Sequence, residues 1–121
     1  MLLQAVLAAS ETEVGEKKYK TLRAGGEVNN LYMGSALNLR HESDSKYTQT
    51  IAREYDIVTA ENACKWGSIR PNQWTYNLDD CVNHLKFAIE NNQKFRGHNL
   101  VWGVWNPDWL TNFSGGANAL E

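Results

Sequence analysis

At 121 residues the chain has room for one small domain with its own core and is far too short for several. Twelve Lys and Arg stand against 14 Asp and Glu, a formal charge of −2, so the composition carries no footprint for nucleic acid or for an anionic membrane surface. No run approaches the roughly 18 apolar residues of a membrane span, and near-neutrality suits a neutral polysaccharide partner as well as it suits ordinary soluble domains.

Met1 to Ser10 is apolar and ends in small residues, like the tail of a secretory signal, but it lacks the basic opening such a peptide carries. A short helix or a structureless leader is the other reading. Residues 11–28 are charged (Glu11, Glu13, Glu16, Lys17, Lys18) and contain Gly25-Gly26, with little periodicity. We read residues 1–28 as a leader and a short helical segment packed outside the first strand, and 29–121 as the domain proper. The apolar run Leu31 to Leu37, bounded by Asn29-Asn30 and Asn38, suits a buried parallel strand, where hydrophobicity is continuous instead of alternating. Ser43-Asp44-Ser45 can cap a helix in which Tyr47, Ile51, Ala52 and Tyr55 recur at helical spacing. A second strand follows at about Asp56 to Thr59.

The clearest predicted helix is capped by Asn77. Asp79 and Asp80 lie in its first turn, where the helix dipole favours negative charge, and Cys81, Val82, Leu85, Ala88 and Ile89 form one apolar stripe. Asn91-Asn92 can supply the left-handed residue that ends it. A third strand is expected from about Lys94 to Val101. Strand, helix, strand, helix, strand predicts parallel βαβ units with right-handed crossovers. Ala117 to Glu121 looks like the first turn of another helix that stops without stripe or cap, so we expect a truncated chain. Cys64 and Cys81 either pair or remain buried thiols that pack as small hydrophobes, and the sequence leaves both open. Asn112-Phe113-Ser114 is an acceptor triplet for N-glycosylation, meaningful only where secretion passes through an endoplasmic reticulum.

The chemistry is concentrated in two segments. Arg96-Gly97-His98-Asn99-Leu100-Val101-Trp102 leads into Trp105-Asn106-Pro107-Asp108-Trp109, which supplies flat rings to stack on sugar faces and an imidazole for hydroxyls. Thr59-Ala60-Glu61-Asn62-Ala63-Cys64-Lys65-Trp66 closes the apolar run of Tyr55, Ile57 and Val58 in the same way. Read alone, each has a plainer meaning. Glu61 and Lys65, four apart, would form a surface pair worth about a few tenths of a kcal/mol. His98 would be a satisfied core histidine, and Trp66, Trp74 and Trp109 would be packing residues. His41 and His84 stay unassigned, with His84 on the polar side of its helix. The three histidines share no metal-ligand spacing.

Taken in order, Glu61-Asn62 with Lys65-Trp66, then Arg96-Gly97-His98 with Leu100-Val101-Trp102 and Pro107-Asp108-Trp109, resemble the amino-terminal part of glycoside hydrolase family 10, the retaining endo-β-1,4-xylanases. The likeness begins near Leu31-Tyr32-Met33-Gly34-Ser35-Ala36, which resembles the family's first barrel strand, and runs through Ile51-Ala52-Arg53-Glu54-Tyr55 to Trp109. It implies an α/β fold, a (β/α)8 TIM barrel that typically needs about 250 residues, of which this chain would hold the first three βα units. It also implies that Glu61, Asn62 and Lys65 hold the sugar on the non-reducing side of the cleavage point. His98 would hydrogen-bond the sugar at that point and Trp102 would floor the same subsite. The implied partner is xylan or a xylo-oligosaccharide outside the cell, with no cofactor, no metal, no nucleic acid and no membrane.

Two departures from the family's pattern stand out. Where many members carry His-Ser-Gln after the tryptophan, this chain has Gly103-Val104-Trp105, which removes an imidazole and an amide and offers stacking area instead. A retaining glycosidase also needs two carboxyl groups about 5 to 5.5 Å apart. By the resemblance these glutamates follow the fourth and seventh strands, beyond Glu121. No substitute pair is visible: Asp79-Asp80 opens a helix, Asp108 reads as a loop residue and Glu61 has a binding role. The expected function is the sugar-binding wall of an endo-xylanase-like hydrolase, inactive alone. The alternatives are a non-catalytic xylan-binding or assembly piece and a truncated product without function of its own. Unpaired strand edges predict self-association or a complementary carboxyl-terminal fragment as partner.

Overall fold

The computed structural model describes residues 19–99 and 102–113. The leader at Met1–Ser10, the charged residues up to 18, the far end of the third strand at Leu100 and Val101 and the helical turn at Ala117–Glu121 lie outside the described residues.

Helix α1, Leu22–Val28, starts where the Thr21 hydroxyl accepts the Ala24 N–H at 3.1 Å. It packs against α2, and Gly26 is buried where the chain folds back toward the first strand. A Cβ at Gly26 would stand 2.7 Å from the Leu31 carbonyl oxygen and 2.8 Å from Met33 Cγ, so only glycine permits this approach. The turn also shortens the first strand. Leu31 donates its N–H to the Gly26 carbonyl and Met33 to Asp56 Oδ2, so the ladder starts only at β1, Gly34–Leu37, and Leu31 and Tyr32 remain exposed.

Asp44 caps helix α2, Ser45–Glu54, by accepting the N–H groups of Lys46 and Tyr47, as the sequence predicts. Buried Gln93 closes the other end, its amide donating to the carbonyls of Ile51 and Tyr55 at 2.9 Å each. Strand β2, Ile57–Ala60, lies between β1 and β3, Lys94–Arg96, and both pairings are parallel. β2 sits one residue later than predicted because Asp56 serves as its buried anchor. β3 is shorter than predicted: Arg96 pairs with Thr59, and β2 ends one residue further on.

Register decides which side chains meet. Ser35 and Leu37 align with Val58 and Ala60, and Val58 with Phe95, so these residues share one sheet face. Leu37, Val58 and Ala88 are fully buried, and with Ile51 they make the core on which Leu39, Tyr47, Tyr55, Phe87 and Phe95 pack. Full burial of Leu37 or Val58 contributes roughly 1.5–3 kcal/mol each. The opposite face, with Ala36, Lys94 and Arg96, is open.

Helix α4, Asp79–Glu90, corrects three expectations. Asn77 does not cap it; Leu78 occupies the cap position without a side-chain bond, and the Asn77 N–H donates to the Ile69 carbonyl. The predicted stripe is rotated. His84 and Ala88 are buried and Phe87 half-buried, whereas Val82, Leu85 and Ile89 are exposed. The helix is apolar over a wider arc than three strands can cover, and the small Ala88 lets one side approach closely. His84 is therefore not on a polar face. Its ring survives burial because both nitrogens are satisfied: Nε2 accepts the Leu39 N–H at 3.3 Å and Nδ1 lies 2.6 Å from the Asp80 carbonyl. Asn92, at φ 51°, ends the helix region in the left-handed conformation as predicted.

Two short helices escape the sequence reading, α3 at Trp66–Ile69 and α5 at Asp108–Thr111, so Asp108 opens a helix instead of lying in a loop. A pH dependence arises at α1. The Leu22 N–H donates to Glu54 Oε2 at 2.8 Å and Arg53 Nε to Oε1 at 2.7 Å, and these bonds hold the carboxyl below its ordinary value of 4.5. A depressed carboxyl stabilises the fold above 4.5 and loses that contribution as pH falls through its lowered value. Carboxyl-carbon NMR is expected to show Glu54 titrating below 4.5, and Leu22→Pro, which deletes the donor, is expected to move it upward.

Candidate functional site

The carboxyl ends of β1 and β2 build the site through their loops. Glu61 continues the β1–β2 pairing, donating its N–H to the Leu37 carbonyl at 3.0 Å. Its carboxylate accepts from Asn38 Nδ2 at 2.8 Å. Asn38 is itself fixed, since its N–H donates to the Tyr47 hydroxyl at 2.9 Å and its Oδ1 accepts the Arg40 N–H at 3.1 Å. A helix residue thus orients the amide that orients the carboxylate. The sequence reading used Asn38 only as a strand boundary. Its position one residue past an apolar run, where barrel-type sites gather, was the signal available.

Asn62 and Lys65 form the next link. Lys65 Nζ donates to Asn62 Oδ1 at 2.7 Å, while the Lys65 N–H and the Ser68 hydroxyl both donate to the Asn62 carbonyl. The same ammonium lies 5.2 Å from the Trp102 ring centre and 4.8 Å from that of Trp105. Cation–π attraction at a partly exposed pair of this kind is worth about 0.5–1 kcal/mol. Glu61 is exposed, Lys65 half-buried and Trp102 41% exposed, so the group is open to a ligand. His98 sits two residues past β3, half-buried, and among the described residues no hydrogen bond, ion pair or ring contact joins it to the other four. Asn38–Glu61 and Asn62–Lys65–Trp102 are therefore brought together at adjoining strand ends; His98 is not linked to them. Trp105 enters the cluster through Lys65. Among the described residues no group of three His, Cys, Asp or Glu side chains could hold a metal ion.

The remaining tryptophans divide. Trp66 and Trp109 pack with ring centres 6.4 Å apart, and Trp109 Nε1 donates to the Arg70 carbonyl at 2.9 Å. Arg70 lies between the rings of Trp109 and Tyr76 at 4.7 and 5.1 Å. Trp74 does not pack; it is 83% exposed. The Asn72 side chain accepts the Trp74 N–H at 3.0 Å and holds a tight turn that points the ring outward.

Cys64 and Cys81 form a disulfide that joins the loop after β2 to the first turn of α4. Between these walls and the Leu39–His41 turn lies a concave space of about 410 Å³, lined by Asn38, Arg40, Asn62, Asn77, Asp80 and Asn83 over Leu37 and His84.

The sequence model for Glycosyl hydrolase family 10 matches residues 22–121. The endo-1,4-beta-xylanase B of Thermotoga neapolitana is 36% identical over 93 residues, which are 74% of this chain and 27% of that protein. The crystal structure of native xylanase 10B from Thermotoga maritima superposes with a TM-score of 0.72 at 35% identity, covering 83% of this chain and 32% of that one. Xylanase 10B from Thermotoga petrophila, solved in complex with xylobiose, gives a TM-score of 0.73 at 33% identity and covers 88% and 33%. This chain thus spans a third or less of each of these relatives.

Proposed function

The chain belongs to glycoside hydrolase family 10, its three parallel strands and their helices corresponding to part of a (β/α)8 barrel, and on that premise we propose that it forms the non-reducing-side sugar-binding wall of a retaining endo-β-1,4-xylanase acting on xylan. One observation carries the reading: Lys65 is held by Asn62 and poised over Trp102 and Trp105, so that a cation, an amide and two rings converge beside the loop in which Glu61 precedes Asn62. Hydroxyls need that mixture of donors and acceptors, and pyranose faces need the rings. In this reading Glu61, Asn62 and Lys65 grip the glycone sugar, and His98 and Trp102 serve the sugar at the cleavage point.

Xylobiose titration of this chain, followed by tryptophan fluorescence, tests it. Lys65→Met removes a charged hydrogen-bond donor while keeping the stem, and is expected to weaken binding about tenfold or more. An unchanged affinity would remove Lys65 from the site. These 121 residues are expected to release no reducing sugar from xylan, because by the resemblance both glutamates of the acid/base and nucleophile pair follow later strands.

A second reading is assembly. Among the described residues β1 and β3 each pair along one edge only, and Val104 is 76% exposed, which favours association with a second copy or with a complementary carboxyl-terminal fragment. Sedimentation is expected to show species heavier than a monomer; a monomer at high concentration would count against it. Secretion belongs to the same proposal, supported by the Cys64–Cys81 bridge, since disulfides persist in oxidising compartments. A cytosolic location in the source cells would contradict it.

A further inference from the structure

A lysine at a strand end stays in one place only if something holds it, because its stem turns freely and its charge is drawn to water. Glu61, four residues earlier, is the partner an exposed lysine would take, yet the Glu61 carboxylate accepts from Asn38, and among the described residues no ion pair joins it to Lys65. What reaches the Lys65 ammonium is the Asn62 amide oxygen at 2.7 Å and the rings of Trp102 and Trp105, at 5.2 and 4.8 Å. We propose that Trp105 is a positioning residue of the sugar-binding wall, which holds the Lys65 ammonium in place and acts on the sugar only through it. This role rests on the cleft reading above.

A ring suits the task better than a carboxylate would. The ammonium carries three N–H donors, of which Asn62 takes one. A carboxylate would occupy the others, and a sugar would have to displace it before binding. The face of an indole attracts the same charge without supplying an acceptor atom, so the remaining donors stay available to hydroxyls. A lysine already fixed also loses less rotamer freedom when the sugar arrives.

The fold brings the two side chains together from both sides. Lys65 occupies the cap position of α3, its N–H donating to the Asn62 carbonyl and its own carbonyl accepting from Ser68 and Ile69. On the other side Pro107 is buried and Trp109 Nε1 donates to the carbonyl of Arg70, the residue that ends α3, so the segment carrying Trp105 is moored against that helix. Gly67 then makes room for the ring. A Cβ at 67 would stand 3.3 Å from Trp105 Cδ1 and 3.4 Å from the Trp105 carbonyl oxygen, so a larger residue there would compete with the indole for space. Gly67 and Trp105 therefore form a matched pair, one in α3 and one after β3.

NMR and calorimetry on the full chain separate holding from stacking. In the free protein the Lys65 side-chain methylene signals are expected upfield of an ordinary lysine's, as the ring currents of two indoles require, and Trp105→Ala should move them back toward it. The same variant is expected to weaken xylobiose binding about two- to fivefold, and Trp105→Phe, which keeps a ring face, should recover most of the loss. In a Lys65→Met background Trp105→Ala should cost nothing further, because the charge that the ring holds is gone. Gly67→Val keeps both residues but crowds the ring, so it should reproduce the loss and the signal change if Trp105→Ala is unstable. Equal losses from Trp105→Ala with and without Lys65 would mean that the ring stacks on the sugar directly. That result, an unmoved Lys65 signal, or an affinity that Trp105→Ala leaves unchanged overturns the positioning role and leaves the cleft standing. Xylobiose affinity that Lys65→Met leaves unchanged overturns the cleft reading and the role of Trp105 with it.

Discussion

Reducing the Cys64–Cys81 disulfide is expected to lower the unfolding free energy by about 3 kcal/mol, the chain-entropy value for a closed loop of this size. The sequence separation is 17, and within that loop the short helix α3, the 72–75 turn and the lead into α4 have few core contacts of their own. Of the residues between the two cysteines none is buried, whereas Cys64 itself is 5% exposed. With the bridge opened, the loop's order depends on the stacking of Arg70 with Trp109 and Tyr76 and on the backbone bond from Asn77 to Ile69. Urea unfolding with and without a phosphine reductant measures the effect. The midpoint should fall by about 1–3 M, given the usual slope of about 1–3 kcal/mol/M, and Cys64→Ala/Cys81→Ala should match the reduced protein. A midpoint that does not move would mean that α4 is held by the sheet alone.

How much of this was legible in the sequence follows from what each element depends on. The Asp44 cap and the left-handed Asn92 depend on local side-chain and backbone chemistry, and both are where the sequence puts them. The parallel order of three strands follows from the alternation of apolar runs and helical patterns, and it holds. Strand lengths depend on partners. β1 loses Leu31 and Tyr32 because the Gly26 turn and the Asp56 carboxylate take the backbone donors, and neither competitor shows in a hydrophobic run. His84 was missed for a similar reason. A histidine reads as polar until a free backbone N–H is known to face it, and Leu39, which supplies that N–H, is 45 residues away in sequence. In the candidate site, the order of the motifs singles out Glu61, Asn62, Lys65 and Trp102, of which the structure joins Lys65 to Asn62 and to the Trp102 ring. Asn38 and Trp105 were harder: the first acts through contacts with Tyr47 and Glu61, and the second joins the site only because Lys65 reaches both rings.

Arg23→Met is expected to cost about 2–3 kcal/mol, somewhat below the 3–5 kcal/mol typical of breaking a fully buried ion pair, because the arginine is partly solvated. Arg23 Nε lies 3.0 Å from Asp56 Oδ1, with side chains 25% and 8% exposed. The guanidinium also donates to the carbonyls of Asn91 and Asn92 at 3.3 and 2.5 Å, satisfying acceptors where α4 ends. One side chain therefore joins α1, the entry to β2 and the exit from α4. Asp56 extends the junction, accepting the Met33 N–H through Oδ2 while its carbonyl accepts the Lys94 N–H at 2.7 Å. Removing Arg23 leaves the Asp56 carboxylate buried with a backbone donor but no countercharge. Removing the charge as well should undo part of the damage, since an amide at 56 can still accept from Met33. Arg23→Met/Asp56→Asn should accordingly be more stable than Arg23→Met alone, and the cycle closed with Asp56→Asn should give a coupling of about 1 kcal/mol or more. Additive single-mutant effects in urea unfolding would show that the pair is an incidental contact and that α1 is held to the sheet through Gly26 and Glu54 instead.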